Sequence, residues 1–502
     1  MKLILSTLAA AGLALAQDGY GDAPAPLVSS EALQADITLE NLLASAQQLQ
    51  TIADENGGNR VFGSAGSNAT IDWLFEEITK LGTYDVYRQP FVELFSGGGA
   101  TLSVNGTEYT ADILTYTPNG SPSAPLVAVD NLGCVAGDFP EAVAGAIALI
   151  SRGECTFATK VVNAFDAGAV GAIIYNNVPQ SPLAGTLGGA ADNYVPVAGI
   201  TAEDGATLLA AIQAGEVTAD LGVETILENR TTFNVIAETK GGDKNNVLVI
   251  GGHSDSVEAG PGLNDDGSGI IGCLELAKAL SKYEVNNAVR IAFWSAEEFG
   301  LLGSYAYLNS INSTVAEVEK IRAYLNFDMI ASPNYFLGVY DGDGSAFNLS
   351  GPPGSAEIEQ TFIDFFTSQE SGYVETEFSG RSDYAAFLEN GIPSGGLFTG
   401  AEELKTEAEV ALFGGQAGVA YDVNYHEAGD TIDNLNEEAF LINSKAIADS
   451  VAKYALSFET LPAMSSILRR DIAARHELTR RYKKHVHKGH HSAPCGQAAN
   501  TS

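Results

Sequence analysis

The sequence predicts an α/β protein whose main sheet carries helices on both faces, together with a second, compact, mostly β module. Three observations predict it. The chain has 502 residues, too many for one ordinary core, so two folded domains plus tails are expected. Between residues 232 and 460, strand-like runs alternate with helix-like ones, the signature of an α/β sheet. Between about 120 and 225, short Val-, Ile- and Ala-rich runs are broken by Gly and Pro, the pattern of a β module.

The elements follow in order. Residues 1–16 read as a secretory signal peptide: Lys2, an apolar run from Leu3 to Leu15, and the small-residue site Ala14-Leu15-Ala16. Residues 17–118 form the first part of the main domain. Helices are expected over 37–55 and 69–81, the second from the helical spacing of Trp73, Leu74, Ile78 and Leu81. Strands are expected over 84–93 and 100–116. The β module is assigned to 119–230, with strands at Leu126–Val129, Ala146–Ile150, Ala172–Tyr175 and Val195–Ile200 and one helix near Ala158–Ala167. The rest of the main domain covers 231–463. Its strands are Asn246–Gly251, Ala288–Trp294, Arg322–Asp328 and Gly391–Leu397, with a helix over Gly267–Tyr283. Ligand sites in such sheets gather at the carboxyl ends of the strands. Residues 464–502 carry eight Lys/Arg against two Asp/Glu and read as a disordered or removable tail.

Composition bounds the function. The formal net charge is −37, which makes nucleic acid and anionic membranes poor partners. No segment offers about 18 uninterrupted apolar residues for a membrane span. A monomer delivered out of the cell is the expectation, with vacuolar delivery as the alternative. Sequons at Asn68, Asn105, Asn119, Asn229, Asn312, Asn348 and Asn500 fit that route. Of four cysteines, Cys134 and Cys155 suit a disulfide in an oxidising compartment. Cys273 sits in an apolar helical pattern and reads as a buried free thiol, and Cys495 lies in the tail.

Seven histidines are present, five of them in the tail (His476, His485, His487, His490 and His491). The other two, His253 and His426, each stand beside carboxylates. In VLVIGGHSDSV an apolar strand ends at His253, with Asp255 placed to hold the second ring nitrogen. PGLNDDGSG puts Asp265 and Asp266 before a helix; an N-cap explains one Asp but not two. VRIAFWSAEEFGLLGS runs a strand into Glu297-Glu298, a pair that repels unless a cation or proton intervenes. YLNFDMI places Asp328 at a strand end in apolar surroundings, where a carboxylate needs a partner. YHEAGDTIDNL opens a loop with Tyr425 and His426. Two His and several carboxylates without a ligand Cys suit zinc. Their number suits a carboxylate bridging two metals.

The segments GGHSDSV, GLNDDGSG, WSAEEFGLLGS, NFDM and YHEAGDT resemble, in order and spacing, the di-zinc aminopeptidases related to yeast aminopeptidase Y and the bacterial leucine aminopeptidases. CVAGDFPEAVAGAIALISRGECTFATKVVNAFDAGAVGAIIYNN resembles a protease-associated (PA) domain. The inserted module and the overall length resemble the secreted fungal leucine aminopeptidase branch. The resemblance implies a zinc-exopeptidase fold, a three-layer α/β/α arrangement around a mixed sheet with an inserted PA domain. It implies two Zn2+ ions: His253 and Asp328 on one, Glu298 and His426 on the other, Asp265 bridging. Glu297 is then the general base for a water between the ions, Asp255 orients His253, and Tyr425 polarises the scissile carbonyl. GRSDYAAF matches a substrate-pocket stretch, implying Arg381 and Asp383 as substrate-binding residues, with a surface ion pair as the alternative for that pair. The implied substrates are peptides with a free, hydrophobic, Leu-type N-terminal residue. The bacterial enzymes often carry a disulfide near the last His; no cysteine stands there in this chain. Two other readings share parts of the pattern: a glutaminyl cyclase on one zinc, and a receptor-like relative that has lost its ligands.

Overall fold

The computed structural model describes residues 25–177, 182–183, 185–311 and 315–462. The predicted signal peptide, Asn312, Asn500, Cys495 and the basic tail lie outside the described residues. Helices α1 (Ser30–Asp36), α2 (Leu39–Glu55) and α3 (Ala65–Leu81) come first. Thr38 and Ser64 cap α2 and α3 by accepting from Asn41 N–H and Ser67 N–H.

Strand β1 (Tyr84–Val104) then leads into the inserted module: β2 (Thr107–Tyr109), β3 (Asp112–Thr115), β4 (Ser123–Ala128), β5 (Ile147–Ser151), α4 (Phe157–Asp166), β6 (Gly171–Tyr175), β7 (Gly185–Thr186), β8 (Val197–Ile200) and α5 (Ala202–Ala214). Strand β9 (Thr218–Thr239) leads out of it. The chain continues through β10 (Asp243–His253), α6 (Gly267–Leu280), β11 (Asn287–Trp294), α7 (Leu302–Ile311), α8 (Val315–Val318), β12 (Ile321–Phe327) and β13 (Gly338–Tyr340). It ends with α9 (Ser355–Ser368), β14 (Val374–Thr376), α10 (Tyr384–Glu389), β15 (Ser394–Phe398), α11 (Glu407–Phe413) and α12 (Glu437–Leu456).

The main sheet is mixed, in the order β14-β13-β15-β12-β10-β11-β9. Strands β15, β12, β10 and β11 run parallel, while β9 is antiparallel to β11 and β13 to β15. Alternate residues of β10 feed opposite faces. Leu248 and Ile250 join the core under α2, α3, α6, α9 and α12; Val247 and Val249 join the core under α7 and α10. Burial on both faces is why residues 247–250 of β10 read as an unbroken apolar run.

Two elements differ from the sequence expectation. The region 84–116 is not two short strands: β1 pairs with β9 from Tyr84↔Thr239 to Val104↔Ala219 as one long antiparallel ribbon, and β2 and β3 follow it. The expected gap, residues 94–99, lies inside this ribbon, where Gly97, Gly98 and Gly99 pair with Ile226, Thr225 and Glu224. The boundary drawn at 230/231 therefore falls inside β9. The module also contains a second helix, α5, capped by Thr201. Its parallel strands β4, β5, β6 and β8 pack with α4 and α5.

Cys134 and Cys155 form a disulfide with Cα atoms 5.7 Å apart, and Cys273 is a buried free thiol. Asn68, Asn105, Asn119, Asn229 and Asn348 are exposed. None of the described helices is long and apolar enough to cross a membrane.

Candidate metal centre and substrate cavity

The register of the parallel strands assembles the site. His253, the last residue of β10, pairs with Trp294 of β11, so Glu297 lies three residues beyond that rung. Gly251 pairs with Asn326 of β12, and Asp328 follows directly after β12. Asp265 precedes Asp266, the N-cap of α6. His426 arrives from the loop between α11 and α12.

Asp266 is the joint of this assembly. Its carboxylate accepts N–H bonds from Gly269 at 2.8 Å, His253 at 3.0 Å and Met329 at 3.1 Å. One side chain thus ties the helix start to the ends of two strands. Gly252 lets it approach, since a Cβ there would lie 2.2 Å from Asp266 Oδ2. Ala296, Met329 and His426 adopt left-handed φ values of 60°, 53° and 58°. Each costs roughly 1–3 kcal/mol, strain that collects where side chains must be re-aimed.

The two oxygens of Asp265 are divided between the two histidines. Oδ1 lies 3.1 Å from His253 Nε2 and Oδ2 lies 3.1 Å from His426 Nε2. His253 Nε2 also faces Asp328 Oδ1 at 3.6 Å and Glu297 Oε2 at 3.8 Å; His426 Nε2 faces Glu298 Oε2 at 3.0 Å. Two ligand groups result, His253/Asp265/Asp328 and Asp265/Glu298/His426, each with donor atoms within 4.8 Å of one another.

These atoms fit a cation. Asp328 Oδ1, both Glu298 oxygens and His426 Nε2 are buried and make no hydrogen bond. Buried anions at such spacing need positive charge between them. Burial pushes the Glu297 pKa well up, helped by the neighbouring charges of Asp328, Asp383 and Glu298. Burial, with the charge of Asp265, raises Glu298 to about 7. Burial opposes protonation of His253, yet Glu297 and Asp328 hold its pKa well above the usual value. The carboxylates ask for a cation, and nitrogen and oxygen donors without thiolate suit a borderline metal. A third acidic group, Asp341, Asp343 and Glu359, is different. Its buried carboxylates, Asp341 and Glu359, accept backbone N–H groups of residues 342–347.

Asp255 is beside His253, but not in the expected contact. His253 Nδ1–H donates to the main-chain carbonyl of Asp255 at 3.2 Å, while the carboxylate Oδ1 stands 3.7 Å off. That carboxylate instead accepts Glu297 N–H at 3.0 Å, so it seats the loop that carries Glu297. The carbonyl can only accept, which fixes the Nδ1–H tautomer and turns the Nε2 lone pair to the carboxylates.

A cavity of about 450 Å³ opens beside Asp265 and Asp328. Met329, Phe336, Tyr340, Phe347 and Phe398 supply its apolar wall; Glu375, Glu377, Glu403, Arg381 and Tyr425 supply polar groups. Arg381 pairs with Glu402 at 3.0 Å and Glu403 at 3.2 Å, and donates to Tyr425 Oη at 3.3 Å. Asp383 does not reach this cavity. It is fully buried at the start of α10, where burial raises its pKa to about 7. The chain turns inward between Arg381 and Asp383, so neighbours in sequence point to different places.

Sequence reasoning missed three residues here. Ser382 donates to Asp328 Oδ2 at 2.5 Å. Asp430 accepts Asn264 N–H at 2.8 Å and Asp265 N–H at 3.0 Å. Arg60 is fully buried against the loop after His253. Ser382 and Asp430 lay inside segments already singled out, GRSDYAAF and YHEAGDT. Arg60 had no motif to announce it.

Fold and site together define a metal-dependent hydrolase. Residues 234–451 match peptidase family M28 and residues 122–208 match the PA domain. The chain is 56% identical to a probable leucine aminopeptidase 2 of Aspergillus fumigatus, over 94% of each chain. It is 54% identical to a probable leucine aminopeptidase 2 of Aspergillus oryzae, over 92% of this chain and 94% of the other. Among solved structures it is similar to an aminopeptidase from Aneurinibacillus sp. strain AM-1 at 29% identity and TM-score 0.70, covering 86% of this chain and 97% of that one. A zinc aminopeptidase from Bacillus subtilis aligns at 25% identity and TM-score 0.64, covering 85% and 97%. The chain belongs to peptidase family M28, as a metalloaminopeptidase with an inserted PA domain.

Proposed function

We propose that this protein is a secreted two-zinc aminopeptidase that removes hydrophobic, Leu-type residues from unblocked peptide N-termini. The observation that carries the reading is the division of Asp265 between the two histidines. His253 and Asp328 would hold one zinc, Glu298 and His426 the other, and Asp265 would serve both. When bound, the ions would supply Lewis acidity and lower the pKa of the attacking water.

The chain's own residues do the rest. Glu297, seated by Asp255 through its N–H, takes a proton from the attacking water and hands it to the leaving amine. Tyr425 donates to the carbonyl oxygen as negative charge develops there. Arg381 donates to the Tyr425 hydroxyl oxygen and so favours its role as a donor. The apolar wall of Phe336, Tyr340 and Phe398 receives the side chain of the N-terminal residue. The free α-amino group is bound by the carboxylates at the inner end of the cavity, which restricts cleavage to the chain terminus. The signal-like start and the exposed sequon residues Asn68, Asn105, Asn119, Asn229 and Asn348 support secretion.

The test is a panel of aminoacyl-p-nitroanilides, N-acetyl-Leu-p-nitroanilide and an N-terminal Gln peptide, each with and without chelator. Hydrolysis of Leu- and Phe-p-nitroanilide, sensitive to chelator and absent from the acetylated substrate, is expected. Cyclisation of the Gln peptide without anilide hydrolysis contradicts the reading.

A further inference from the structure

The loop from Ser254 to Gly262 has no helix or strand of its own. Yet it sets the separation of His253, one residue before it, from Asp265, three residues after it. What holds it comes from a distant part of the chain, the connection between α2 and α3. Arg60 is fully buried there and aims its guanidinium into the loop. Nε donates to Pro261 O at 2.7 Å, one terminal nitrogen donates to Gly262 O at 2.6 Å, and the other donates to Ser254 O. The backbone N–H of Arg60 is itself seated on Ser256 Oγ at 2.8 Å. Asn59 Nδ2 donates to Glu258 O at 3.2 Å.

The fork therefore grips both ends of the loop. Gly262, at φ +64°, turns its carbonyl to the guanidinium; a Cβ there would lie 2.9 Å from Arg60 Nη2. The same cation stands in the field of Asp255, Asp265, Asp266 and Asp430. Three carbonyls at fixed directions require a planar fork, which a lysine ammonium does not supply.

We propose that Arg60 is a positioning residue for the metal centre, a buried clamp that fixes His253 against Asp265 and so sets the affinity of both ions. This rests on the reading of the two ligand groups as zinc sites. Because Asp265 belongs to both groups, loosening the clamp weakens both, although Glu298, Asp328 and His426 stay in place.

The test compares full-length wild type with Arg60→Lys. Both proteins are stripped of metal, titrated with Zn2+, and separately loaded with Co2+ for visible absorption. Arg60→Lys is expected to bind both zinc ions roughly 10–100-fold more weakly, the range seen when a ligand's support is removed. Its cobalt spectrum shifts, and kcat falls while KM changes little. A folded Arg60→Lys protein with wild-type zinc affinity and cobalt spectrum overturns the proposal. If wild type itself binds no zinc, the metal reading falls, and the clamp's function falls with it. Should Arg60→Lys fail to fold, Ser256→Ala keeps the guanidinium and removes the seat of its backbone. Weakened zinc binding in that variant supports the clamp, and unchanged binding overturns it.

Discussion

Ser382 Oγ donates to Asp328 Oδ2 at 2.5 Å, which leaves Asp328 Oδ1 turned toward His253. Ser382 is held in turn by Asn326 Nδ2 at 2.7 Å. Asn326 Oδ1 accepts from Tyr324 Oη at 2.9 Å, and Tyr324 Oη accepts from Trp294 Nε1 at 2.9 Å. A buried polar chain of this kind fixes the rotation of its last member. Ser382→Ala frees the Asp328 carboxylate to turn. We predict that the zinc on His253 and Asp328 weakens roughly 10–100-fold while the other is less affected. Stepwise zinc titration against a competing chelator reads the two ions separately. Equal affinities in variant and wild type would refute the prediction.

Glu297→Gln keeps the shape of the side chain and removes the base. Turnover of Leu-p-nitroanilide should fall by roughly 10²–10⁴, the usual worth of a positioned general base. Zinc content, measured by elemental analysis, should not change. Activity near wild type in that variant would remove Glu297 from the mechanism.

The residues of the metal centre were legible because each sits where a pattern changes. The apolar cores of strands β10 (247–250), β11 (291–294) and β12 (323–325) lead toward His253, Glu297 and Asp328, which stood out as polar residues at or just past the strand ends. The two histidines of the body stood at either end of the series. Contacts across the chain were not legible. No periodicity joins Arg60 to Gly262 or Ser382 to Asp328, because tertiary hydrogen bonds leave no trace in spacing. Asp255 meets His253 Nδ1 through its main-chain carbonyl at 3.2 Å, with its carboxylate at 3.7 Å, a division between backbone and side chain that sequence does not display. The continuity of β1 through residues 94–99 was not legible either, because it depends on pairing with β9.

In the proposed reading, the cavity wall sets the preferred N-terminal residue. Phe336 packs edge-on against Phe398 and Tyr421, with centroids 5.9 and 4.7 Å apart. Phe336→Ala deepens the cavity and removes contact with a leucine side chain. kcat/KM for Leu-p-nitroanilide should drop roughly 10–100-fold, the worth of about 1–3 kcal/mol of apolar contact. Phe-p-nitroanilide, which fills the added space, should lose less. Parallel losses on both substrates would place the specificity pocket elsewhere.

Lys160 gives the inserted module a dependence on pH. It is fully buried, donates to Leu132 O and lies 3.7 Å from Cys134 Sγ. Burial pushes its pKa down to about 8 from an ordinary 10.5, against the opposing charges of Glu154 and Asp138. Between those values the unfolded chain binds more protons than the folded one, so this residue makes stability rise with pH across that window. Lys160→Met abolishes the rise. Denaturant unfolding at intervals from pH 7 to 10 checks it, and identical pH dependence in both proteins would contradict it.

We propose that Asp265 serves two zinc ions at once. Its most direct test is the recovery of Leu-p-nitroanilide hydrolysis as Zn2+ is added back to stripped wild-type protein, with bound zinc counted at each step. Saturation at two zinc ions per chain is expected, with loss of both from Asp265→Ala. Full activity at one zinc per chain, or two tightly held ions in Asp265→Ala, would contradict it.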